Sequence, residues 1–163
     1  MDACRLNHVV LFVRDAARST AFYEEMLGFR VVVADPDGGY AFLRAAGSTN
    51  HHDLALFSVG PDAGPPTTPG TVGLYHCAWE VPTIASLIDA RDALQARGSL
   101  VGTSDHGVNK SVYARDPDGL EFEVMYLVPA AEWGDEEHQA IVRPLDLEKE
   151  LEQESRRKTR SPS

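Results

Sequence analysis

The sequence predicts an α+β protein of two tandem βαβββ modules, at residues 5–59 and 73–128. One observation is a repeat: LNHVVLFV at 6–13 and LYHCAWEV at 74–81 share the pattern L-x-H-x-x-x-x-V, with histidines 68 residues apart (76 minus 8). The other is that each copy is followed by one helical segment and three short strand-like segments. The linker, residues 60–72, contains GPDAGPPTTPG and is too rich in proline and glycine for a helix or a strand. Two such modules can place curved mixed sheets side by side, as a cup around a site.

The first segment of each module is rich in β-branched and aromatic residues, which predicts a buried strand. Asp15 and Thr83 are suitable N-caps for the helices that follow, and Gly28 and Gly98 are suited to end those helices. Further strands are predicted at 29–34, 40–46, 53–59, 99–104, 111–116 and 120–128, with hairpin turns at DPDGG (35–39) and DPDG (116–119).

Length and charge limit the class of protein. With 163 residues, 43% of them apolar, the chain can bury one core, which is expected in a single domain over residues 1–130. The net charge of −10 disfavours nucleic acid and anionic membrane surfaces as partners. No apolar run of ~20 residues and no signal peptide are visible, and the two cysteines suit a reducing compartment, so a cytoplasmic protein is expected.

Residues 131–163 fall outside the repeat and are predicted to form a partly helical C-terminal extension. LDLEKELEQESRRK at 145–158 predicts a surface helix, and the final TRSPS predicts a disordered end. The sequence assigns no role to this extension.

Histidine and carboxylate positions within the repeat indicate a metal site. His8 and His76 share one register in the first strand of their modules, so both imidazoles point to the same kind of face. Glu123 lies among apolar residues of the last strand, expected beside the strand of His76, where a carboxylate is costly unless it is paired or binds metal. A lone buried histidine is more often a hydrogen-bonded core residue, but the repeat favours a ligand pair. Two imidazoles and one carboxylate with open positions suit Fe(II) or Mn(II), with zinc possible.

Residues 5–128 resemble the vicinal oxygen chelate superfamily, in which paired βαβββ modules surround a metal. Within them, HGVNKSVYARDPDGLEFE at 106–123 resembles the signature of type I extradiol ring-cleavage dioxygenases, in a small single-domain form. That signature has a His, then a Tyr, then D-P-x-G, then a Glu. The matching residues are His106, Tyr113, the stretch 116–119 and Glu123.

The resemblance implies an enzyme that cleaves a catechol-type diphenol with O2, using Fe(II) or alternatively Mn(II). NHHDLALF at 50–57 resembles the stretch that carries the acid–base histidine of these enzymes; His52 matches it, and His51 is the alternative. Small proteins of this fold commonly pair, so a homodimer is expected. The implied site residues are His52, Tyr113 and His106 for catalysis, His51 and Asn109 for substrate binding, and His8, His76 and Glu123 for the metal.

Two other functions stay open. A glyoxalase-like or epimerase-like metal enzyme of the superfamily would take a fourth ligand from the first module, and the repeat places that position near Ala55, which cannot ligate. A small-molecule-binding resistance protein has no need of metal ligands, whereas this chain has all three. Both arguments favour the dioxygenase.

Overall fold

The computed structural model describes residues 2–66 and 70–160, of which 157–160 are described by their backbone alone. The strands are β1 (Val9–Val13), β2 (Arg30–Ala34), β3 (Tyr40–Arg44), β4 (Leu54–Ser58), β5 (Cys77–Glu80), β6 (Leu100–Asp105), β7 (Asn109–Arg115) and β8 (Glu121–Leu127). The helices are α1 (Ala16–Leu27), α2 (Ile84–Ala96) and α3 (Leu147–Arg160), with short 3-10 turns at Ala130–Glu132 and Gly134–His138.

The strands form two four-stranded mixed sheets with the same topology, in the orders β1-β4-β3-β2 and β5-β8-β7-β6. In each sheet the first strand pairs in parallel with the last, and the other pairs are antiparallel. A register shift recurs in the second strand of both sheets, between Val31 and Val33 and between Leu100 and Gly102. The predicted α+β fold of two βαβββ modules is therefore confirmed.

The chain divides into two compact units. The first contains residues 1–75 together with 116–120, and the second contains 76–115 together with 121–163. The turn between β7 and β8 thus belongs with the first unit, although both of its strands belong to the second. The described residues 59–66 and 70–76, which connect β4 to β5, consist of turns and coil.

The first strand of each module is shorter and less buried than predicted. β1 begins at Val9 and β5 at Cys77, so His8 and His76 each lie one residue before their strand. The prediction of a buried β1 is wrong for one of its faces, because Val10 is 51% and Phe12 72% exposed. The physical reason is position: β1 and β5 are edge strands, each with one neighbour.

Helices α1 and α2 follow the predicted caps. The carboxylate of Asp15 accepts a hydrogen bond from the Arg18 amide, and Gly28 ends α1 in the left-handed conformation. The hydroxyl of Thr83 caps α2 through the Ser86 amide. Each helix packs on the sheet of its own unit, and the fully buried side chains there form the core. The largest of these are Val13, Phe22, Tyr23, Leu43, Leu54 and Leu56 in the first unit and Ile84, Leu87, Leu94, Val112, Val124 and Leu147 in the second.

The predicted C-terminal helix exists as α3 and is anchored rather than free. Its first residue, Leu147, is buried, and Arg91 of α2 reaches Glu148 at 3.0 Å. Of the tail predicted to be disordered, Thr159 and Arg160 belong to the helix, while 161–163 lie outside the described residues. Within the described part of the chain, no helix combines the length and the apolar character needed to cross a membrane.

The turn at 116–120 is fixed to the first unit by its carboxylates. Asp118 accepts bonds from the Arg14 amide and guanidinium, both at 3.0 Å, and from the Arg18 guanidinium at 2.5 Å. Asp116 is buried, accepts the amides of Asp118 and Leu120, and has its pKa raised by burial. Burial also acts to raise the pKa of Asp118, but the bonds from Arg14 and Arg18 outweigh it and hold this pKa below its ordinary 3.8.

The substitution Asp118→Asn should lower the free energy of unfolding by about 2 kcal/mol at neutral pH, because it removes charged hydrogen bonds from two arginines. The pKa of Asp118 is lower in the folded protein than in the unfolded chain. Its carboxylate therefore stabilises the fold fully above the unfolded pKa, and this stabilisation is lost as the pH falls through the folded pKa. The difference between parent and variant in urea unfolding should therefore shrink from about pH 5 to pH 2. Glu152→Gln, which changes an exposed carboxylate on α3, is the control and should cost about 0.3 kcal/mol. A difference for Asp118→Asn that stays constant over this range would contradict the account.

Candidate functional site

In the second unit, the parallel pairing of β5 with β8 brings His76 and Glu123 together. The register sets Ala78 opposite Glu123, and the His76 ring lies just before β5. His76 Nε2 is 3.1 Å from Glu123 Oε2. Glu123 is only 7% exposed, so the structure places a carboxylate and an imidazole side by side in a largely dry position.

The other oxygen of Glu123 is held by β7. The hydroxyl of Ser111 donates to Glu123 Oε1 at 2.5 Å, and the Asn109 amide approaches the same oxygen at 3.4 Å while it donates to Ser111 Oγ at 2.8 Å. These contacts offset part of the cost of burying the carboxylate. They also fix its orientation, so that Oε2 is the oxygen that faces His76.

Tyr113 and His106 lie next to this pair. Tyr113 is the cross-strand partner of Glu123, and its ring packs edge-on against His76 with centroids 5.6 Å apart. His106 lies in the turn between β6 and β7, and its Nε2 is 2.9 Å from the Tyr113 hydroxyl. Its Nδ1 is 2.7 Å from the carbonyl oxygen of Ile141, in the C-terminal extension. Five of the predicted site residues, Asn109 among them, therefore gather in one unit.

In the first unit, His8 lies in a row of rings. His8 Nδ1 is 2.9 Å from Asn7 Oδ1, and its ring centroid is 4.5 Å from that of His52. On its other side, His52 stacks on Phe42 at 5.0 Å with an interplanar angle of 25°. His51 Nδ1 lies 3.1 Å from His52 Nδ1. The structure thus brings His8, His51 and His52 together at one edge of the first sheet.

These neighbours change the protonation of His52. Partial burial is the largest cause that lowers the pKa of His52 below its ordinary 6.5, and the rings of His8 and His51 add to it. The carboxylate of Asp53 opposes them but does not restore the value. His52 is consequently neutral at pH 7, which is the state a proton acceptor needs.

Asp53 anchors the loop that carries His51 and His52. It is buried and accepts bonds from the Ala45 amide at 2.9 Å, the Ser48 hydroxyl at 2.7 Å and the Asn50 amide at 2.7 Å. Burial acts to raise the pKa of Asp53, but these bonds, led by that from Ser48, lower it overall. Sequence reasoning missed this residue. The motif offered a signal, since Asp53 follows the two histidines directly and begins an apolar strand.

At the position of Glu123 the two modules have the same strand register. Val10 is opposite Ala55 in the first sheet, as Ala78 is opposite Glu123 in the second. Ala55 follows His8 by 47 residues (55 minus 8), and Glu123 follows His76 by 47 (123 minus 76). Ala55 is buried. The first unit therefore has a methyl group where the second has its carboxylate.

The model of the Glyoxalase/Bleomycin resistance protein/Dioxygenase superfamily matches residues 5–124. The chain belongs to this superfamily. Both βαβββ modules lie within the matched range except for the last residues of β8. Residues 130–160, with both 3-10 turns and α3, lie outside it.

Curated proteins similar to this chain include several named as dioxygenases. The chain is 41% identical over 118 residues to biphenyl-2,3-diol 1,2-dioxygenase 3 of Rhodococcus globerulus, covering 71% of this chain and 59% of the relative. It is 27% identical over 130 residues to the manganese-dependent 2,3-dihydroxybiphenyl 1,2-dioxygenase of Geobacillus genomosp. 3, covering 77% of this chain and 37% of the relative. The chain thus spans about three fifths of the first relative and less of the second.

A solved structure agrees on the fold. A glyoxylase/bleomycin resistance protein/dioxygenase domain from Frankia sp. EAN1pec superposes with a TM-score of 0.64 at 21% identity, over 79% of this chain and 96% of that one. At this identity the likeness concerns the fold of the superfamily and not its chemistry.

The positions of the nitrogen and oxygen donor atoms show how well each unit could bind a metal ion. The described residues contain no group of three His, Cys, Asp or Glu side chains close enough together to hold an ion. The second unit supplies two converging donors, His76 Nε2 and Glu123 Oε2, and the first has the imidazole of His8. A nitrogen and an oxygen 3.1 Å apart, with the oxygen oriented by Ser111, fit a divalent ion that accepts imidazole and carboxylate.

Proposed function

We propose that this protein is a metal-dependent extradiol dioxygenase that cleaves a catechol-type diphenol with O2. The observation that carries the proposal is the His76–Glu123 pair, with its carboxylate oriented from β7, at a position where the first unit has Ala55. Three protein donors in all, with His8, leave positions open for a chelating substrate. The names of the curated relatives support the same chemistry.

The proposed ligands are His8, His76 and Glu123, and the proposed ion is Fe(II), with Mn(II) as the alternative. The bound ion would supply Lewis acidity, which lowers the pKa of a catechol hydroxyl, and the redox chemistry that O2 needs. Ser111 would act through Glu123, because its hydroxyl donates to Oε1 and leaves Oε2 as the oxygen available to an ion. The homodimer expected from the sequence stays a prediction.

His52 is the proposed acid–base residue. Its lowered pKa keeps the ring neutral, so it can take a hydroxyl proton from the diphenol and return a proton later in the reaction. The stack on Phe42 and the loop anchored by Asp53 hold the ring in place. His51, whose Nδ1 is 3.1 Å from that of His52, would contact the substrate or assist the proton transfer.

Tyr113 and His106 are proposed to position the substrate. Tyr113 is the cross-strand partner of Glu123 and its ring packs against His76, so its hydroxyl is the group of β7 proposed to bond to a substrate oxygen. His106 holds that hydroxyl at 2.9 Å. Asn109, expected to bind substrate, contacts Ser111 and Glu123, so its contribution would pass through the carboxylate.

A glyoxalase-type or epimerase-type reaction is the rival within the superfamily. Such an enzyme would take a fourth protein ligand from the first module, and the register places Ala55 there. A methyl group cannot ligate, so the ion would keep the open position that a diphenol needs. A binding protein of the resistance type would have no use for the buried carboxylate, which costs free energy where it lies.

Turnover of diphenols tests the proposal directly. The protein, loaded with Fe(II) without oxygen, should bind catechol or biphenyl-2,3-diol with a change in its absorption spectrum. On admission of air it should form a yellow ring-fission product, which is measured by its visible absorbance. The hemithioacetal of glutathione, the matched substrate for the rival, should not be converted. Conversion of the hemithioacetal at a rate comparable to that of any diphenol would overturn the assignment.

Substitution of the two adjacent histidines, one at a time, should affect turnover differently. His52→Gln should retain the metal and bind catechol, while kcat falls by about 10²–10⁴, the usual contribution of a positioned acid–base group. Loss should be smaller with nitrocatechols, whose acidic hydroxyl needs less help from a base. His51→Gln is the matched comparison: as a proposed substrate contact it should raise KM, while kcat falls far less than in His52→Gln. If His52→Gln turns over at nearly the parent rate with its metal intact, the role belongs to His51 or to neither.

A further inference from the structure

The C-terminal extension contacts three consecutive residues at the His106 turn. Asp105 and Arg143 form an isolated β-bridge, with both main-chain hydrogen bonds at 2.9 Å. The carbonyl of Ile141 contacts His106 Nδ1 at 2.7 Å. A Cβ added at Gly107, which has a φ of 77°, would lie 2.6 Å from Glu136 Oε2 and 3.0 Å from Ile141 Cδ1. The extension therefore lies directly against the loop that carries His106.

The contact at Ile141 determines which nitrogen of His106 carries the hydrogen. A carbonyl oxygen accepts and cannot donate, so Nδ1 must be protonated to bond to it. In the neutral ring Nε2 then has no hydrogen, and at 2.9 Å it accepts the hydrogen of the Tyr113 hydroxyl. The Tyr113 oxygen consequently offers its lone pairs, rather than its hydrogen, to a substrate hydroxyl.

We propose that residues 129–146 are a positioning element of the active centre, which fixes His106 as the Nδ1–H tautomer through the Ile141 carbonyl and thereby sets the direction of the Tyr113 hydroxyl. The catalytic part of this inference rests on the proposed dioxygenase function; the tautomer does not. His106 contacts the extension and Tyr113, so Ile141 acts on the substrate through two intervening groups and is a positioning residue.

Ion pairs hold this part of the extension in place. The Arg143 guanidinium reaches Asp105 at 3.2 Å and Glu136 at 2.9 Å, and the buried Lys110 reaches Asp105 at 2.6 Å. These charges line a cavity of about 550 Å³, together with Lys149 and Glu150 of α3. Because Arg143 is exposed and its ion pair with Asp105 joins the extension to β6, its loss should loosen the Ile141 contact without disturbing the core.

The test uses nitrogen NMR on the metal-free protein of 163 residues. Long-range proton–nitrogen spectra of the wild type should show His106 with a protonated Nδ1 and a bare Nε2. In Arg143→Ala the pattern should shift towards the Nε2–H form that free imidazole prefers. The control is Arg156→Ala, which removes an exposed arginine of α3 paired with Glu152, and it should leave the spectrum unchanged. A wild-type His106 with its hydrogen on Nε2 would overturn the proposal without any variant.

Kinetics of the iron-loaded protein then connect the tautomer to turnover. Arg143→Ala should lower kcat with a diphenol about tenfold, the effect of a lost outer-shell partner, with KM changed less than kcat. Arg156→Ala should match the parent. A shifted tautomer with unchanged kcat would remove the positioning role. If the spectra agree but no form of the protein cleaves a diphenol, the proposed dioxygenase function fails while the tautomer assignment stands.

Discussion

Parallel pairing of the first strand with the last is the constraint on which each module depends. A helix and two antiparallel strands intervene, yet the chain returns so that Ala78 lies opposite Glu123 and Val10 opposite Ala55. Residues 47 positions apart thereby become neighbours. A slip of one residue would turn Glu123 to the other face of the sheet and separate it from His76. The site in the second unit is thus a direct product of strand register.

The two modules use the same register for different chemistry. The second has a buried carboxylate whose burial is offset by Ser111, His76 and Asn109. The first has Ala55 at that position and a row of stacked rings around His52 instead. The same fold therefore holds an oriented, buried carboxylate in one module and a cluster of imidazoles in the other.

The sequence predicted both sheets and both capped helices, because hydrophobic periodicity and cap residues act locally. It also predicted that His76 and Glu123 lie close together, because the offset of 68 residues relates each position of one module to a position of the other. Less could be predicted where contacts are distant in sequence. Ser111 could have been found, since it shares a strand face with Tyr113. The contact of the Ile141 carbonyl with His106 could not have been predicted. The two residues are 35 positions apart, and a main-chain oxygen is the same in every residue type. Exposure of Phe12 also depends on its strand being at an edge.

Metal binding by Glu123→Ala tests the central claim most directly. The purified wild type should bind one equivalent of Fe(II) or Mn(II), measured by calorimetry under nitrogen and by metal analysis. Glu123→Ala should lose tight binding, because one of three donors is removed. Glu121→Ala, a carboxylate two residues away on β8 that pairs with Arg115, should bind as the wild type does. A full equivalent of tightly bound metal in Glu123→Ala would contradict the account.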